Sequence, residues 1–257
     1  VAYCSRNGKK IHYYTEGTGD TVIFLHSLGT SLGLWQEQYD FFKHQYRVVG
    51  LDFNGHGESD GSLPFTLQDA ALDVLHLMDE LNIDRAHLVG ISMGGHIALE
   101  MYSGSPERIQ SLTLADTWAF MPESIVLERT KFRIGRLHEL SPSQFCNELA
   151  TVSLAQGAPE KKVEKLRSLM TFSKETYESA WNAVHGADYR ELLPRIHVPA
   201  LVIVGDQDKS APVQYAEEIA DGIERAALLS VPNGGHLSHF TNTTFFNDYL
   251  YPFLRGE

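Results

Sequence analysis

The chain has little of what would place it outside an ordinary globular fold. Of its 257 residues only Cys4 and Cys146 are cysteines, enough for one disulfide at most. With no paired spacing motif they read as free thiols of a reducing compartment, so a cytoplasmic protein is expected. Apolar runs are short: Val22 to Leu25 and Ala200 to Val204 span four and five residues, against the roughly 20 that cross a bilayer. No membrane span is expected. The first residues carry Arg6, Lys9 and Lys10 but no apolar stretch of the kind a signal peptide needs. Basic residues are also scarce, 21 Lys+Arg against 33 Asp+Glu for a formal charge of -12, so nucleic acid and anionic lipid are not expected as partners. What is present, 43% hydrophobic and 21% charged residues, excludes a charge-extended or low-complexity chain.

Short apolar runs alternate with longer helical patterns. Val22 to Leu25, Tyr46 to Leu51, Ala86 to Ile91, Ser111 to Ala115, Ala200 to Gly205 and Ala226 to Val231 are continuous rather than alternating, as strands buried on both faces are. Helical patterns lie at Leu32 to His44, Thr66 to Leu81, Ser92 to Tyr102, Val213 to Asp221 and Thr243 to Leu254. Ala2 to Ser5 and Lys10 to Glu16 flank Asn7-Gly8, the signature of a hairpin. An α/β fold with a mostly parallel sheet is expected. From about Thr117 to Leu192 the rhythm stops, and helical patterns punctuated by Pro122, Pro142, Pro159 and Ser173 suggest an all-helical insertion after the sixth strand. The division expected is therefore a core of residues 1–116 and 193–257 with an insertion of 117–192.

The strongest chemical signal is Gly90-Ile91-Ser92-Met93-Gly94-Gly95, a G-x-S-x-G between a strand and a helix. Such a turn crowds its backbone, so small neighbours two residues either side of Ser92 are required. A serine hydroxyl is a poor nucleophile near neutrality and needs a histidine to take its proton and a carboxylate to orient that histidine. Both are expected on loops after later strands. Gly205-Asp206-Gln207-Asp208 follows one strand and Asn233-Gly234-Gly235-His236 the next. From the residues alone either Asp206 or Asp208 could be the acid.

Over essentially its whole length the sequence resembles the α/β-hydrolase superfamily. The motifs that carry the likeness are Leu25-His26-Ser27-Leu28-Gly29, Asp52-Phe53-Asn54-Gly55-His56-Gly57-Glu58-Ser59, Gly90 to Gly94, and the Asp208 and Gly235-His236 loops. The resemblance implies Ser92 as nucleophile, His236 as base and Asp208 as orienting acid, with Asp206 as rival. It also implies an oxyanion hole of the Leu28 and Met93 amides, and a helical cap for the insertion. Ser27 stands where most relatives carry Gly, and Asn54 where many carry Arg. The Asp52 to Ser59 loop is expected to be structural, with His56 a buried hydrogen-bonding residue.

Ser-Met-Gly-Gly and Ser-Leu-Gly most resemble the 3-oxoadipate enol-lactonase-like branch. The activity implied is hydrolysis of a small ester or lactone through an acyl-serine, with no cofactor or metal. A carbon-carbon bond hydrolase, a cofactor-free haloperoxidase-like enzyme and a slow ligand receptor of the same fold are the alternatives. In the insertion Arg129, Arg133 and Arg136 share one helical face near Trp118, Phe120 and Met121. Trp118, Phe120 and Arg129 are the expected substrate contacts, the cationic face suiting a substrate carboxylate. A solvated face paired to Glu123 and Glu128 has the same pattern.

Overall fold

The computed structural model describes residues 2–257. The hairpin β1 (Ala2–Arg6) and β2 (Lys9–Glu16) turns through Asn7 and Gly8 at φ 53 and 79, the paired left-handed residues of a type I′ turn. There follow β3 (Thr21–Leu25), α1 (Gln36–Phe42), β4 (Arg47–Leu51), α2 (Leu67–Glu80), β5 (Ala86–Ile91), α3 (Met93–Gly104) and β6 (Ile109–Ala115). Four helices come next: α4 (Glu123–Glu139), α5 (Pro142–Ser153), α6 (Glu160–Ser168) and α7 (Lys174–His185). The chain closes with β7 (Ala200–Gly205), α8 (Val213–Gly222), β8 (Ala226–Val231), α9 (Ser238–Thr241) and α10 (Thr243–Leu254).

The eight strands form one sheet in the order β1-β2-β4-β3-β5-β6-β7-β8. β1 and β2 pair antiparallel, β2 runs antiparallel to β4, and all other pairs are parallel. Period-two alternation sends neighbouring residues of β3 to opposite layers. Ile23 and Leu25 join a core with α2, α3 and α8, whereas Val22 and Phe24 join one with Trp35, Tyr39, Phe42 and the α10 residues Phe246 and Leu250. Both layers are apolar, hence the unbroken runs in the central strands. β8 departs from that expectation: as an edge strand it leaves most of its residues partly or fully exposed.

The four helices between β6 and β7 carry a small apolar cluster of their own, Leu137, Phe145, Leu149, Tyr177 and Trp181. Proline or serine precedes each start, and Ser141 closes a reciprocal capping box with Gln144. The segment expected as one helix from Leu32 is a 3₁₀ turn, Leu32–Trp35, running into α1.

Candidate active site

The strand order reverses between β3 and β5, whose onward connections leave in opposite directions and open a crevice at the strands' carboxyl ends. Leu28 follows β3 and Ser92 follows β5, so the two sides of that crevice bring them together at one cavity. Ser92 sits at φ 52, ψ −115, a strained conformation for a residue with a side chain. Its amide donates to the Ala115 carbonyl at 2.9 Å, and its carbonyl accepts from Thr117 Oγ1 at 3.0 Å. The glycines are steric necessities. A Cβ on Gly90 would lie 2.3 Å from the Gly94 carbonyl oxygen, and one on Gly94 2.1 Å from that of Leu25.

His236 Nε2 lies 2.9 Å from Ser92 Oγ, and His236 Nδ1 lies 2.8 Å from Asp208 Oδ2. Asp208 Oδ1 accepts from the amides of Ser210 and Ala211 at 2.7 and 2.9 Å, so the carboxylate is held from behind while it faces the imidazole. Burial depresses the basicity of His236, but the charge and hydrogen bond of Asp208, together with the charge of Asp116, carry its pKa above the ordinary histidine value. Asp206, the rival from sequence, is exposed at the cavity wall; its amide is tied to the Val231 carbonyl and its carboxylate does not reach His236. The two loops interlock at glycines. The Gln207 amide donates to Gly234, and a Cβ on Gly205 would lie 2.3 Å from the Gly235 oxygen.

At the first loop the Ser27 carbonyl accepts from His26 Nδ1 at 2.8 Å and from the Thr30 amide and hydroxyl at 3.2 and 2.8 Å. In a trans peptide the following N–H points the opposite way, so the Leu28 amide is turned from those donors. Met93 opens α3, where the helix offers its amide no carbonyl one turn back. Leu28 lines the same cavity as Ser92, and Met93 follows Ser92 in the chain. His56 is fully buried, bonds the Asn54 carbonyl and is pushed by desolvation down to about 3, a neutral packing residue.

The cavity around Ser92 encloses about 1440 Å³. Trp118 and Arg129 line it, but Phe120 does not: its ring lies 3.6 Å from the Arg190 guanidinium, next to the strand-like bridge that Phe120 makes with Asp188. The three arginines part company. Arg136 is spent on Glu148 and Glu139, at 2.6 and 3.2 Å, and Arg129 donates to the Ser210 carbonyl. Arg133 makes no ion pair among the described residues, its buried Nε has no partner, and its guanidinium stands 5.9 Å from the Trp181 ring. None of the three pairs with Glu123 or Glu128. His185 stacks on Trp181 at 3.8 Å, and burial first of all pushes it down to about 3, which leaves an uncharged ring in the wall. Among the described residues no three His, Cys, Asp or Glu side chains group as a metal site. No helix of the described residues is long and apolar enough to cross a membrane.

Residues 20–243 match the family model described as the alpha/beta hydrolase fold. The chain belongs to the alpha/beta hydrolase family. It is 33% identical over 243 residues to 3-oxoadipate enol-lactonase 2 of Acinetobacter baylyi, covering 92% of this chain and 90% of that one. It is 31% identical to 3-oxoadipate enol-lactonase 1 of the same organism, covering 100% and 97%. The enol-lactonase structure from Burkholderia xenovorans superposes with a TM-score of 0.89 at 27% identity, covering 99% of this chain and 100% of that one. The alpha/beta hydrolase fold expected from the motifs, with its mostly parallel sheet flanked by helices, is the fold found. One buried carboxylate at this alpha/beta hydrolase site, Asp116 at the end of β6, had no motif to announce it.

Proposed function

We propose that the chain is a serine hydrolase of a small carboxylic ester or lactone that bears a carboxylate, acting through an acyl-Ser92 intermediate. The observation that carries the reading is the unbroken hydrogen-bonded line Ser92, His236, Asp208 opening into the cavity. Ser92 Oγ attacks the substrate carbonyl while His236 Nε2 takes its proton; Asp208 holds the tautomer that leaves Nε2 free and faces the imidazolium that forms. The developing oxyanion is met by the Leu28 and Met93 amides, aided by the positive end of α3. Collapse expels the alkoxide or enolate, which His236 protonates. Water then attacks the acyl group, giving its proton to His236, and Ser92 leaves with that proton restored.

Arg133 supports the acidic substrate. Of the three arginines at the cavity it is the one without a partner, whereas Arg129, favoured from sequence, is occupied by Ser210. An enol-lactone is the substrate class named for the two Acinetobacter relatives, and it fits this reading here. The test is a panel of lactones, enol-lactones and p-nitrophenyl esters compared by kcat/KM, with Ser92→Ala beside the wild type. The variant should fold and lose about 10⁴ to 10⁶-fold in kcat, and a fluorophosphonate should add once, at Ser92. A variant keeping a tenth of the activity refutes the mechanism.

A further inference from the structure

Asp116 belongs to none of the catalytic motifs, yet it touches the frame of all of them. It is fully buried and sits at φ 46, a conformation uncommon outside glycine. Its Oδ1 accepts from the Gly205 amide and its Oδ2 from the Ser238 amide, both at 2.8 Å. Gly205 ends β7, three residues before Asp208; Ser238 opens α9, two residues after His236. The Asp116 amide donates to Ile203 at 2.8 Å, and the preceding carbonyl, that of Ala115, accepts from Ser92 at 2.9 Å. One dipeptide therefore ties the nucleophile turn, the acid loop and the base loop to a single strand end.

We propose that Asp116 is a positioning residue for the hydrolytic reaction. Through Gly205 and Ser238 it sets the separation of the Asp208 and His236 loops, and its carboxylate adds negative charge behind the His236 imidazolium. The proposal rests on the serine-hydrolase reading above. Asp116 does not line the cavity and acts only through other residues.

The residue type follows from the bonding. A carboxylate can accept on both oxygens at once, whereas an amide of the same shape accepts on one and sets an N–H₂ against the second donor. The groups facing His236 are Asp208 from the loop after β7 and Asp116 from the end of β6, both favouring its charged form, and Arg133 from α4, which opposes it. Asp116 itself faces Asp208, His236 and the Ser238 amide. Burial and then the charge of Asp208 raise its proton affinity, while His236 and the amide pull it back. An imidazolium forming in the transition state therefore favours the ionised Asp116.

The test uses Asp116→Asn and, independently, Asp116→Glu, which keeps the charge but sets the carboxylate one methylene away from its place between the Gly205 and Ser238 amides. Both are assayed on a p-nitrophenyl ester that the wild type turns over, with circular dichroism to check the fold. Asp116→Asn should lower kcat by about 10 to 100-fold, the cost of a small misplacement at a reacting centre. Its KM should stay within about threefold, and the acid limb of kcat/KM should move to lower pH because a negative charge facing His236 is gone. Asp116→Glu should lower kcat, because the two amides no longer meet the carboxylate in register, while the acid limb stays close to that of the wild type, since the negative charge remains. A folded Asp116→Asn protein with wild-type kcat and acid limb overturns the proposal. So does a loss of kcat with the acid limb unmoved in Asp116→Asn, or failure of both variants to fold, because the bonds would then serve the fold alone. A wild type that neither turns over an ester nor takes a fluorophosphonate overturns the serine-hydrolase reading and this proposal with it. Wild-type turnover beside unchanged variants overturns the Asp116 proposal by itself.

Discussion

Gly94 lies so close to Leu25 that a Cβ there would stand 2.1 Å from the Leu25 carbonyl oxygen and 2.9 Å from the Leu25 Cβ. Neither neighbour can yield: the oxygen is backbone, and Leu25 is a buried residue of the central strand β3. Gly94→Ala should therefore push α3 off β3, destabilising the protein by about 1 to 3 kcal/mol. Urea unfolding measures it. A midpoint equal to wild type would mean that the turn relaxes freely.

The separation of the two acids is large enough to read kinetically. Asp208→Asn should cost about 10⁴-fold in kcat, because the amide no longer fixes the right His236 tautomer. Asp206→Asn, whose side chain does not reach His236, should change kcat by no more than a few-fold. Equal losses in the two variants would remove Asp208 from its role.

Substrate charge is tested at Arg133. If its unpartnered guanidinium meets the substrate carboxylate, a charge-assisted hydrogen bond of about 1.5 to 3 kcal/mol gives acidic esters a 10 to 150-fold advantage over neutral analogues in kcat/KM. Arg133→Gln should abolish that advantage. Arg136→Ala, removing a cation already paired with Glu148, should keep it. Acidic and neutral esters reacting alike in the wild type would turn the substrate assignment to a neutral ester.

Buried histidines give the fold an acid limit. Desolvation pushes His87 and His96 down to about 4, and His56, His185 and His239 down to about 3. Unfolded, each would titrate near 6.5. Between about pH 6.5 and pH 3 to 4 the unfolded chain binds more protons, so stability complete above pH 6.5 is lost as the pH falls through that window. The urea midpoint should fall steadily from pH 6 to 5. A constant midpoint over that range would mean that these rings are solvated.

Periodicity along the chain determined the alternation of strands and helices, because runs buried on both faces and helical stripes leave different linear patterns. It also placed Ser92, Asp208 and His236 each just past a strand end, since the G-x-S-x-G turn and the glycine-flanked histidine are demands of local backbone crowding. Side-chain direction is another matter. Whether Asp206 or Asp208 meets His236 depends on how the loop after β7 is pinned by amides at Ser210 and Ala211. Arg129, Arg133 and Arg136 share a helical face in sequence, but only packing assigned Ser210 to the first and Glu148 to the last, leaving Arg133 free. Phe120 followed the Arg190 cation away from the cavity, a contact 70 positions apart in the chain. Asp116 was invisible for the same reason: a lone carboxylate after a strand has no signature until the fold brings Gly205 and Ser238 to its two oxygens.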